Sequence, residues 1–202
     1  MKNEKDLSRS LYGHYNFIKG RIAEAIVERL FICLNMVPKH NGFEFTQPDL
    51  AYLRRTGQIS EERLKNIEFG CDFVFRSVEK NQEGLYNVYQ VEVKFSKNRK
   101  VQKNRLSAYD NNDLIFVFVD LQGFYCATKR ELEALAQSTK GSTISFSKLE
   151  KLEDHEAFSF GPNERKIIQT FSAFIESTLQ KLDESKAFKE NLESLLQDSK
   201  EQ

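Results

Sequence analysis

The run Tyr89-Gln90-Val91-Glu92-Val93-Lys94-Phe95 alternates apolar and polar residues at the two-residue period of a strand. Tyr89, Val91, Val93 and Phe95 therefore share one face, and Val88, Gln90, Glu92, Lys94 and Ser96 share the other. A carboxylate and an ammonium then stand side by side. The preceding apolar run, Gly70-Cys71-Asp72-Phe73-Val74-Phe75, carries an aspartate near its start. The segment Glu79-Lys80-Asn81-Gln82-Glu83-Gly84 between the two runs has the polarity and the glycine of a hairpin connection. A hairpin returns Asp72 to the neighbourhood of Glu92, so two carboxylates and a lysine converge at the rim of a small sheet. A metal-dependent phosphodiesterase needs that grouping: acids to hold a divalent cation and a basic side chain near the attacking water.

An acid two residues before a lysine is common in so charged a chain, and it recurs at Glu164/Lys166, Glu184/Lys186 and Asp198/Lys200. Those three fall in a helical pattern, where residues two apart point to different faces. Only Glu92/Lys94 lies in a β-rich run behind an aspartate. The competing reading is a solvated cross-strand ion pair, worth under about 1 kcal/mol.

Upstream, Phe17 to Leu34 places Ile22, Ile26, Val27, Leu30, Phe31 and Leu34 on one helical stripe. Glu24 lies on the border of that stripe, where a carboxylate can face a sheet edge. Gly20, one turn earlier, allows close backbone approach. Glu28, further round the wheel, reads as an ordinary solvated glutamate.

Together these residues resemble the PD-(D/E)xK nuclease superfamily, which includes restriction endonucleases and the archaeal type of Holliday-junction resolvase. The resemblance runs from about Phe17 to Asp120 and includes the Gly-x-x-x-Glu helix followed by Asn41-Gly42-Phe43-Glu44-Phe45. It departs from the motif where Cys71, not proline, precedes Asp72. The resemblance implies metal ligation by Asp72, Glu92 and Glu24, and a place for Lys94 near the attacking water. Gln90, on the same face, is placed to position the cluster or the phosphate. Hard oxygen donors without neighbouring histidine or cysteine favour Mg2+, with Mn2+ as substitute, over zinc.

The implied fold class is α/β: a restriction-endonuclease-like mixed β-sheet core flanked by helices, with an added C-terminal helix. Residues 1–160 would form the core. Residues 161–202 would form a helical extension, packed on the core or used in a homodimer. Strands expected over Phe43 to Thr46, Leu114 to Val119 and Phe124 to Ala127 fit the implied order of helix, three strands, helix, strand, and a helix capped by Thr128 follows with Glu131 at the capping-box position. A short helix is expected within Lys97 to Asn112, and a last amphipathic helix begins near Glu164.

With 30 basic and 30 acidic residues in 202, no global field gathers nucleic acid, so any such affinity must be local. Lys94 to Arg105 supplies it: this stretch holds six basic residues and no acid. Lys97, Arg99, Lys100, Lys103 and Arg105 are the expected phosphate contacts, against the alternative of a solvated loop. Arg54 and Arg55 form a weaker basic candidate, and Tyr109 and Asn104 are candidates for base contact. Cys33, Cys71 and Cys126 are scattered, as are His14, His40 and His155, which argues against a disulfide framework, a zinc ribbon or a histidine triad. The charged first residues and the lack of a membrane-length apolar run lead to the expectation of a cytoplasmic protein. The leading expectation is a Mg2+-dependent DNA endonuclease. The alternatives are an inactive nucleic-acid-binding module of the same fold, or an interaction protein that uses its last helix.

Overall fold

The computed structural model describes residues 4–41, 71–80, 85–96 and 98–184. The expected strand at Phe43 to Thr46, and Arg54 and Arg55, lie outside them. Helix α1 spans Glu4–Cys33 and leads into strand β1, Met36–His40. Strands β2 (Phe73–Lys80) and β3 (Tyr86–Phe95) follow, and then a short strand β4 at Lys100–Gln102. The helix expected within Lys97 to Asn112 is a 3-10 helix at Lys103–Ala108. Next come β5 (Ile115–Asp120), β6 (Gly123–Thr128) and helix α2 (Lys129–Ser138). Strands β7 (Thr143–Ser145) and β8 (Glu150–Lys151) precede helix α3, Pro162–Glu184.

The fold is α/β. A mixed six-stranded sheet runs in the order β1-β2-β3-β5-β6-β8, beside a two-stranded sheet of β4 and β7. Strands β1, β2 and β3 form an antiparallel meander, β3 and β5 are parallel, and β6 returns antiparallel to β5. Strand β1 contains Pro38, which removes a backbone donor and suits the edge position it occupies.

Alternation along the strands builds two cores. On one face Phe73, Phe75, Val91 and Val93 pack with Ala23, Val27, Leu30 and Phe31 of α1 and with Ile168 and Ile175 of α3. On the other, Phe116, Phe118 and Tyr125 pack with Leu132 of α2, Ile144 of β7 and Phe146. Helix α3 is therefore part of the main core. The capping box at the start of α2 is present: the Glu131 amide donates to Thr128 Oγ1 at 3.2 Å, and the Thr128 amide to Glu131 Oε2 at 2.6 Å. Gly20 makes no close approach, since a Cβ there would meet no described atom within 4 Å. No helix among the described residues is long and apolar enough to cross a membrane.

Candidate active site

The β2–β3 register pairs Phe73 with Val91 and Val74 with Gln90. Continued by one residue, it sets Asp72 opposite Glu92, with both on the face that carries Lys94. The Asp72 carboxylate is fixed there by the Val93 amide, which donates to Oδ2 at 2.7 Å. That amide lies between Glu92 and Lys94 in sequence, so all three functional groups refer to one short piece of backbone.

Glu92 is buried, its side chain only 6% exposed. Its Oε1 accepts from Lys94 Nζ and from Tyr109 Oη, the latter at 2.6 Å. The solvated ion pair expected as the alternative is thereby corrected for its acid: the Glu92 carboxylate is buried and shared with Tyr109, while the Lys94 side chain keeps 38% exposure. The second oxygens of Asp72 and Glu92 take no hydrogen bond among the described residues.

The electrostatics follow from this crowding. Burial first, then the Glu92 charge, raises the Asp72 carboxyl to about 7; Lys94 and the Val93 amide oppose the shift, and Glu24 adds to it. Partial burial works against the Lys94 charge. The Glu92 charge first, then Tyr109 once its phenol ionises at high pH, then Asp72 and the hydrogen bond to Glu92, outweigh it and hold the ammonium above the ordinary lysine range. Burial also raises the Tyr109 phenol, with Lys94 pulling down and Glu92 pushing up. At neutral pH Lys94 is therefore a cation and Tyr109 a proton donor.

The remaining expected residues disperse more. Glu24 on α1 is close enough for its charge to reach Asp72, but its carboxylate accepts from Arg21 Nη1 at 2.6 Å. Glu28 pairs with His40 at 2.9 Å. Gln90 is exposed and accepts from Asn111 Nδ2 at 3.0 Å. Among the described residues no three histidine, cysteine, aspartate or glutamate side chains are gathered so as to hold a metal ion.

The basic run divides. Lys97 lies outside the described residues. Arg99, in the left-handed region at φ 53°, places Nε 2.7 Å from Asp120 Oδ2 and donates to Tyr125 Oη at 2.5 Å. Lys103 donates to the carbonyls of Ala136 and Thr139, where the end of α2 leaves acceptors unfilled. Arg99 and Lys103 are thus committed to holding the loop and the helix end. Lys100 and Arg105 are exposed and line a cleft of about 440 Å³ that opens beside Lys94.

Tyr109 is the site residue that sequence reasoning assigned to another task, as a base contact. A lone tyrosine in a polar stretch gives no sign of which carboxylate it will meet. Buried Lys19, 1% exposed with Nζ 5.3 Å from the centre of the Phe95 ring, gave no sequence signal at all.

No known protein family, curated protein or solved structure matches the chain.

Proposed function

We propose that this chain is a Mg2+-dependent DNA endonuclease of restriction-endonuclease-like fold that hydrolyses phosphodiester bonds. One observation carries the reading: Asp72 is locked onto the backbone between Glu92 and Lys94, on the face that bears both. The order of elements supports it: the nuclease resemblance implies helix, three strands, helix, strand, and α1, β1 to β3 and a crossover to β5 follow that sequence with a 3-10 helix in place of the second helix. Here β4 and the 3-10 helix form that crossover.

The donor set suits Mg2+ or Mn2+. Asp72 and Glu92 present oxygen only, each with one oxygen not engaged by the described residues. Mg2+ is commonly held by one or two carboxylates, with waters and substrate phosphate completing the shell. Asp72 and Glu92 would hold the ion, and Glu24 would join by leaving Arg21 or through water. When bound, the ion supplies a more acidic water and positive charge opposite the phosphate. Lys94 fixes Glu92 and presents an ammonium to developing negative charge, a role that its raised pKa favours over that of base. Tyr109 holds the same carboxylate oxygen and limits its rotation.

The test is cleavage of labelled duplex, single-stranded and junction DNA in Mg2+, in Mn2+ and in chelator, together with a Mn2+ binding titration. Chelation, Asp72→Ala and Glu92→Ala should abolish cleavage. Lys94→Ala should slow it about 100-fold while Mn2+ still binds, because the substitution removes charge stabilisation and no ligand. Unchanged cleavage by Glu92→Ala would sink the assignment. DNA binding without any cleavage would favour a binding module that keeps the fold.

A further inference from the structure

The cleft beside Lys94 lies where the large sheet meets the small β4–β7 sheet. Its lining includes three cations, Lys94, Lys100 and Arg105, and no carboxylate among the described residues. Of its rings, Tyr109 and Phe95 are half-buried, while Phe116 and Phe118 are buried in the core beneath. The Tyr109 ring stands edge-on to Phe116, with centres 5.2 Å apart. Phe116 and Phe118 stack nearly parallel, 5.9 Å apart. Positive charge at the rim beside the half-buried Tyr109 ring matches a phosphate joined to a planar, weakly polar ring.

Size narrows the ligand further. At about 440 Å³ the cleft falls in the range of sites that enclose one small molecule, so it takes one nucleotide unit. A duplex keeps its bases stacked and paired, and it delivers one to such a cavity only by unpairing it. We infer that this cleft receives an unpaired nucleotide next to the phosphate at Lys94, which makes the preferred substrate single-stranded or locally unpaired DNA. The inference rests on the nuclease reading for the place of the scissile phosphate. The charge and ring content of the cleft support nucleotide binding independently of catalysis.

Lys100 and Arg105 hold the strand through its phosphates, while the half-buried Tyr109 ring supports the base without selecting among sequences. The experiment is fluorescence anisotropy in chelator, where no strand is consumed, with a labelled oligothymidylate and a blunt duplex of equal length. The single strand should bind about tenfold more tightly than the duplex. The double variant Lys100→Ala/Arg105→Ala should lose about tenfold in single-strand affinity, while Lys166→Ala, on the exposed surface of α3, should lose nothing. A 2-aminopurine placed in the oligonucleotide should change its emission on binding to the wild type. Equal or tighter duplex binding overturns the inference, as does unchanged single-strand affinity in the double variant. Cleavage in Mg2+ is scored separately. Its absence alongside the binding preference removes the hydrolase and leaves the cleft as a nucleotide site; cleavage without the preference does the reverse.

Discussion

The Val93 amide donates to Asp72 Oδ2, so the carboxylate that precedes β2 is tied to the middle of β3 rather than left to a loop. Either side of Val93, Glu92 and Lys94 project to the same face, and the spacing of the three groups is set by sheet geometry. A site built this way changes little unless the strands separate.

The buried position beside Glu92 in which Asp72 is held has a titration consequence in protein without metal, since burial and the Glu92 charge outweigh the opposing pull of the Val93 amide. Asp72 titrates near 7 when folded, against the ordinary aspartate range in the unfolded chain. The native state therefore binds the extra proton more tightly. The stability contributed by this group is complete below about pH 4 and is lost as the pH rises through about 7. At pH 8 Asp72→Asn should be more stable than wild type by about 2 kcal/mol, with no difference at pH 4. Thermal unfolding at the two pH values checks this. Adding Mn2+ at pH 8 should raise the wild-type midpoint more than that of the variant.

Arg99 and Lys100 are neighbours with different work. Arg99→Ala strands Asp120, whose side chain is 2% exposed, and should cost about 2 kcal/mol in a denaturant titration. Lys100→Ala should fall within about 0.5 kcal/mol of wild type. Loss of stability in the second and not the first would reverse the assignment.

Gly123 begins β6 at φ 122°, and a Cβ there would lie 2.7 Å from Ser172 Oγ on α3. Gly123→Ala should destabilise by more than about 1 kcal/mol through both backbone strain and the clash. Adding Ser172→Ala should recover only part of the loss, since the backbone term remains. Full recovery would show that strain contributes nothing.

Periodicity made β2, β3, β5, β6, the capped helix α2 and the buried stripe of α1 legible, because each buries one face or both at a regular spacing. It did not reveal β1: Pro38 within Met36–His40 argues against a strand unless the strand is known to be at an edge, and sheet order is not written in local sequence. The placement of Asp72, Glu92 and Lys94 on one face followed from alternation and a hairpin alone. Tyr109 did not, because its approach to Glu92 depends on the path of the 3-10 helix before it. The basic run was read as a uniform charge track. A composition count cannot tell Lys103, whose partners are carbonyls of a helix more than thirty residues on, from Arg105, which lines the cleft.

Ile168 and Ile175 of α3, each 0% exposed, complete the same core that α1 begins. During translation the apolar stripe of α1 leaves the ribosome long before these two residues are made. Until α3 emerges, that stripe and one side of the sheet stay open to water and to chaperones, so the native structure can close only late in synthesis.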